Sequence, residues 1–231
     1  MKKLIFVFIF FVGIMSVKAQ DVIERCQAEL DPIIAKANAV WQEGNTHYGI
    51  SRERSELYAS YCLKACNICD KYLSLITNEE DQIDLMWFQV DILSDILDIY
   101  EDHKWGLKSF EYEQQFQRKV TLLNDILTIS NRIDNQQTNL QEKFDVNYNL
   151  GEHYFKRKEY EQASSAFSQC IIAYQELRKR NSNDNELIKF GQKAYYWKGY
   201  CLYKLGNTTL ANSYLNKAKN ILNNSLIQPY K

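Results

Sequence analysis

The chain has 231 residues, 25% of them charged and 45% hydrophobic, with a formal net charge of −1. This is an ordinary globular balance, and near-neutrality gives no electrostatic case for nucleic acid, whose phosphate backbone calls for a basic surface. Only 8 Gly and 2 Pro are present, too few turn formers for a many-stranded β-sandwich or barrel.

The first nineteen residues read as an export signal. Met1-Lys2-Lys3 is a positive start, Leu4 to Ile14 is apolar apart from Gly13, and Val17-Lys18-Ala19 offers small residues for cleavage after Ala19. The apolar run falls short of the roughly 20 residues that span a bilayer. The Ala19-Gln20 ending resembles bacterial signal peptides of the Bacteroidetes. No other segment is long and apolar. The expected mature chain, 20–231, is therefore a single α-helical domain without a membrane span, periplasmic or secreted.

Helical periodicity runs through the mature chain. Asp21 to Glu43 reads as one helix, or as two divided where Asp31 would cap and Pro32 would open a first turn. Gly44 to Ile50 is a loop. Ser51 caps a helix to Ile76. Thr77 and Glu80 match a capping box opening a helix to about Glu101, with Ile83, Trp87, Val90, Leu97 and Tyr100 on its apolar face. Asp84, Asp91, Asp95, Asp98 and Asp102 read as a solvated stripe opposite that face.

Ser109 starts a helix to about Arg132. Further helices are expected from Asn135 to near Lys158, Tyr160 to Arg180, Glu186 to Leu205 and Thr208 to Leu226. Asn181–Asn185 is a polar break, and Gly206 suits a helix C-cap. The sum is about eight helices in four antiparallel pairs.

Six cysteines fall in the mature chain: Cys26, Cys62, Cys66, Cys69, Cys170 and Cys201. Cys62, Cys66 and Cys69 share one helix face. They fit small buried packing residues, an interhelical disulfide, or redox or metal chemistry. The Cys66-x-x-Cys69 pair lies inside a helix and not at the N-terminus that would lower a thiol pKa.

Two of the helix pairs share a pattern. "NLGEHYFKRKEYEQASSAFSQC" and "YWKGYCLYKLGNTTLANSYLNKA" align Gly151 with Gly199, Tyr154 with Leu202, Tyr160 with Thr208, Ala163 with Ala211, Phe167 with Leu215 and Cys170 with Ala218. This resembles the tetratricopeptide repeat (TPR), with small residues where helices approach and large ones beside them. The clearest repeats are 145–180 and 193–226. Their glycines stand 48 residues apart, against 34 in the family. Ala59, Leu63 and Cys66 form a weaker echo. The resemblance implies an all-α, right-handed stack of helix pairs, and it places Cys66 and Cys170 where the family uses alanine.

The chain shows none of the usual catalytic spacings. His47, His103 and His153 are isolated, and no H-E-x-x-H, G-x-S-x-G or phosphate-cradling loop occurs. No cofactor, metal site or enzymatic activity is expected. Lys156–Lys158 and Arg178–Arg180 read as cations opposing a helix dipole. Asn207 and Asn223 head sequons that matter only in a eukaryotic source.

One row of residues exceeds what a scaffold needs. Tyr196, Tyr200 and Tyr203 recur at helical spacing, matched by Tyr148, Glu152 and Phe155 in the preceding repeat, with Lys193 and Lys204 flanking. In the family the corresponding row faces a concave groove that takes peptides. The alternative is that the row packs against the preceding helix pair. The expected function is an exported interaction or scaffolding protein holding a protein or peptide of the cell envelope. The same aromatics would also suit a carbohydrate or small ligand.

Overall fold

The computed structural model describes residues 17–44, 51–103, 109–180 and 184–221, with the backbone alone at 17–20, 44, 102, 103, 220 and 221. The apolar run read as an export signal, most of the two longest expected loops, His47, Asn223 and the end of the last helix lie outside these residues, as does the His103 side chain. Among the described residues the chain forms eight α-helices and no strand: α1 (Val17–Gly44), α2 (Arg52–Leu73), α3 (Glu79–His103), α4 (Ser109–Ser130), α5 (Gln136–Lys156), α6 (Tyr160–Arg180), α7 (Asn185–Lys204) and α8 (Thr208–Ile221). The chain is an all-α, TPR-like stack of adjacent helix pairs. It divides into two compact units, Met1–Asp125 and Ile126–Lys231. None of the described helices is long and apolar enough to cross a membrane.

In the first unit α1 packs on α2 and α2 on α3. Pro32 lies inside α1, so the expected division at Asp31 does not occur. Pro32 removes one backbone hydrogen bond. Burial of Cys26, Leu30 and Ala37, on both sides of the proline along the face turned to α2, outweighs that loss. The far end of the α1–α2 seam is tied by Glu29, which accepts from Lys71 Nζ at 2.6 Å and Tyr72 Oη at 2.7 Å.

Ser51 caps α2 as expected, its side chain accepting from the Arg54 N–H. The helix ends at Leu73, three residues before the expected Ile76. The capping box does not form: α3 begins at Glu79, and Asn78 Oδ1 accepts from the Asp81 N–H at 3.0 Å. Asn78 outcompetes Thr77 because its amide oxygen reaches the third helical N–H while its own carbonyl takes Gln82 N–H at 3.1 Å.

Helix α3 is buried around most of its circumference, through Ile83, Leu85, Met86, Phe88, Val90, Ile92, Leu93, Ile96, Leu97 and Ile99. That corrects the two-faced reading. Asp84 and Asp91 remain exposed, but Asp95 is half-buried, with Tyr58 Oη donating to its Oδ2 at 3.4 Å. Fully buried Gln89 donates to the Cys66 carbonyl at 3.0 Å and to Asp70 Oδ1 at 2.9 Å. Between α3 and α4 the rings of Tyr100 and Tyr112 stack at 4.5 Å.

All six cysteines are free and buried. Burial pushes Cys26 up to about 11 and Cys66 and Cys201 up to about 12. It also raises Cys62, Cys69 and Cys170. Cys66 and Cys69 occupy the last turns of α2, the negative end of the dipole, which favours the thiol over the thiolate. These environments suit packing residues.

In the second unit α5 packs on α6, α6 on α7 and α7 on α8. The two aligned hairpins have the same internal contacts. A Cβ on Gly151 would stand 2.6 Å from the Phe167 ring, and one on Gly199 2.8 Å from Leu215 Cγ. Each glycine therefore seats the large residue aligned with its partner. Ala163, Ala211, Cys170 and Ala218 are all fully enclosed, where anything larger would force the helices apart.

The hairpins also turn alike. Gly206 has φ +82° and Lys158, at the matching position, φ +64°. In both, the next N–H reaches back into the last turn, Glu159 to the Tyr154 carbonyl and Asn207 to Leu202, each at 2.9 Å. This is a Schellman closure. Lysine is strained in the left-handed region where glycine is not. Lys158→Gly is expected to stabilise the chain by about 0.5–1 kcal/mol, visible as a higher melting temperature. An unchanged or lower value would contradict the strain.

Candidate functional site

The site is assembled from α5 and α7. Asn135 caps α5, its side chain accepting from the Gln137 and Thr138 N–H groups. Asp184 caps α7 by accepting from Glu186 and Leu187 N–H, both at 3.0 Å. These caps fix where each helix starts, and so which residues share a face. Close approach comes from small residues: a Cβ on Gly191 would overlap the Tyr174 ring, and Ala194 is fully buried.

On that frame the aromatic residues meet. Phe155 of α5 lies 4.8 Å from Trp197 and 5.5 Å from Tyr200, between ring centroids. Tyr196 meets Trp197 at 5.1 Å and Tyr200 at 6.3 Å, and Tyr200 meets Tyr203 at 6.4 Å. Tyr160, opening α6, adds an edge contact to Phe155 at 5.7 Å. Phe155, Tyr160, Tyr196, Trp197 and Tyr200 are half-buried, and Tyr203 is 55% exposed. Such edge-to-face contacts add about 0.5–1.5 kcal/mol each beyond burial, so the rings support one another.

The expected residues separate into two groups. Phe155, Tyr196, Tyr200, Tyr203 and Lys204 come together. Lys204 is exposed, with its Nζ 5.1 Å from the centre of the Tyr200 ring. The neighbouring Tyr200 hydroxyl raises its pKa. Lys193, also exposed, sits over Phe190 at 5.0 Å.

Tyr148 does not stand on the surface. It is 8% exposed, among Phe144, Phe167 and Phe190. It is a core residue where a partly exposed anchor was expected, because the α5 turn that carries it is roofed by the start of α7. Its hydroxyl pairs with Glu152 and meets the Trp197 indole; burial and the Glu152 charge raise its pKa. Glu152 is thus engaged inward. The Tyr148 hydroxyl thus meets Trp197 from beneath.

Sequence reasoning missed Tyr160, Phe190 and Trp197. Trp197 was detectable, since it lies three residues before Tyr200 and four after Lys193 and so shares their face. Phe190 was too, lying three residues before Lys193 and seven before Trp197; Tyr160 was not, because it joins the site only through its contact with Phe155 of another helix. Lys198, where the repeat pattern usually has leucine, points away from this face. Its Nζ donates to Ser168 Oγ at 2.5 Å and lies over the Tyr214 ring at 4.5 Å. The amphipathic stem packs as a leucine would, and the charge is met at its tip.

Chemically the face is a cluster of half-exposed rings with a lysine at each end. His153 is buried, and among the described residues no set of three His, Cys, Asp or Glu side chains is placed to hold a metal ion.

Residues 192–221 match the tetratricopeptide repeat family. No curated protein matches the chain. Among solved structures the chain is similar to the crystal structure of BtubC (BKLC) from P. vanneervenii, at 13% identity and a TM-score of 0.40, covering 94% of this chain and 96% of that one. The repeat match falls on α7 and α8, and the helices pair throughout, so the chain carries a TPR-like helical repeat.

Proposed function

We propose that the protein is a non-enzymatic interaction or scaffolding protein that holds a protein or peptide partner on the α5–α7 face. The observation that carries this is the half-exposed aromatic cluster of Phe155, Tyr196, Trp197, Tyr200 and Tyr203. A purely structural seam would bury those rings. Rigid aromatics that stay partly open are the residue type enriched at binding hot spots. The repeat match supports the reading, since stacked helix pairs present a continuous inner surface to partners.

A sugar ligand fits less well. Tyr196 and Tyr200 lie within 27° of parallel, but the Phe155, Trp197 and Tyr200 rings are tilted 49–84° to one another. They offer edges and faces together, and no broad flat platform on which a pyranose would lie.

We further propose that residues 1–19 are an export signal, which would put this activity in the periplasm or outside the cell, with a cell-envelope partner and a mature N-terminus at Gln20. The test is capture from native envelope material, with the recovered protein sequenced from its N-terminus. Tyr196→Ala combined with Tyr200→Ala is expected to lose at least about thirtyfold in partner affinity while keeping its far-ultraviolet circular dichroism. Undiminished capture by the folded double variant would overturn the site. Unfolding would show that the rings are core. An intact Met1 on exported material would overturn the assigned compartment.

A further inference from the structure

We infer that the segment held on this face is an extended chain with two acidic side chains four residues apart and an apolar side chain midway between them. The inference rests on the binding face proposed above and deepens it. Successive residues of a helix turn by about 100°. Lys193, Tyr196, Trp197, Tyr200 and Lys204 therefore fall on one side of α7, with the lysines at its two ends. The lysines stand eleven positions apart, a rise of about 16 Å.

The sign of the ligand follows from how the lysines sit. Each ammonium already lies over a ring of the cluster, Lys193 over Phe190 and Lys204 over Tyr200. The cation-binding faces of those rings are taken by the protein's own charges, and an incoming cation would be repelled. Exposed Lys189 adds positive charge one turn before Lys193. The acids near the cluster do not cancel this. Glu159 is paired with Arg157 at 2.8 Å, Glu152 keeps its charge but lies against the Tyr148 hydroxyl beneath the rings, and Glu186, one turn before Lys189, offsets that lysine and leaves Lys193 and Lys204.

The spacing follows from chain geometry. An extended segment rises about 3.3 Å per residue and puts alternate side chains on the same side. Residues four apart are then about 13 Å apart on one side, and the flexible lysine stems cover the remaining ~3 Å. The residue midway faces the same way, onto Tyr196, Trp197 and Tyr200.

The test is fluorescence anisotropy with the full mature chain and labelled synthetic peptides at low ionic strength. The first peptide carries two glutamates separated by three residues, the middle one phenylalanine. A second has glutamines for the glutamates, and a third moves the phenylalanine by one position. The first is expected to bind about tenfold tighter than either other peptide. Lys193→Gln and Lys204→Gln, both at exposed positions, should each remove part of that preference without changing the melting temperature, and added salt should remove it as well.

Equal binding of the glutamine peptide would overturn the acidic partner. The binding face would stand if Tyr196→Ala with Tyr200→Ala still abolished that binding. Failure of all three peptides would also overturn this inference. In that case, capture of an envelope partner by the wild type and not by the double tyrosine variant would still leave the face in place.

Discussion

Phe167→Ala is expected to cost about 3–5 kcal/mol, enough to leave a domain of ordinary stability partly unfolded. The ring is wholly enclosed, and it lies against the backbone of Gly151, where a Cβ would stand 2.6–2.8 Å from its atoms. A second substitution separates this contact from general core damage. Gly151→Ala in the wild type should destabilise, because the methyl group has no room until the ring moves. In the Phe167→Ala background the space is open, and alanine is favoured over glycine inside a helix by about 1 kcal/mol. The same substitution should then stabilise. Urea unfolding of the four proteins reads the reversal. Destabilisation by a similar amount in both backgrounds would show that the glycine is needed for some other reason.

The second large effect is one of pH. Asp95 is raised from its ordinary 3.8 to about 7. Burial is the main cause, followed by the charges of Asp98 and Asp91 on its own helix. The Tyr58 hydroxyl and Lys119 hold it down by less. Cys62 lies beside Tyr58 on α2, and Lys119, 1% exposed, reaches in from α4 to donate to Ser94 Oγ at 2.6 Å.

A carboxyl that titrates near 7 when folded and near 4 when unfolded binds its proton more tightly in the folded chain. Its contribution is fully present below about pH 4 and is lost as the pH rises through 7. Asp95→Asn should abolish that slope. Above pH 7 it should raise stability by about 1–2 kcal/mol. The gain is limited because Lys119 loses some counter-charge and solvent still reaches the half-buried carboxyl. Parallel stability–pH curves for wild type and variant would contradict the buried-proton account.

The helices were legible where local chemistry decides the ends. Asn135 and Ser109 as starts, Tyr160–Arg180 as a helix and Gly206 as a stop could all be read from residues within a turn. The failures occurred where a competing local option or a distant contact decided. Asn78 took the cap from Thr77, and packing on α2 carried α1 through Pro32. Asp95 followed the spacing of an exposed stripe, yet Tyr58 and Lys119 arrive from two other helices.

The same limit governed the aromatic row. Periodicity shows which side chains share a face of α7, and Phe155, Tyr196 and Tyr200 do meet. It does not show what roofs a residue on α5, so Tyr148 could not be told from Phe155 until the start of α7 was in place over it. The glycine–large-residue pairing was readable because it repeats. Gly151 with Phe167 and Gly199 with Leu215 are the same contact at matching positions.

Trp197 has an optical consequence. Tryptophan occurs at 41, 87, 105 and 197, so the 126–231 unit has a single indole, and it sits among the rings of Phe155, Tyr196 and Tyr200 with Tyr148 beneath. Tyrosines this close pass their excitation to the indole, and its emission colour follows the water around it. A chain laid across the face would displace that water and shift the emission to the blue. With Trp41, Trp87 and Trp105 replaced by phenylalanine, the protein would carry its own light source at the point of contact, and occupancy could be followed without any label.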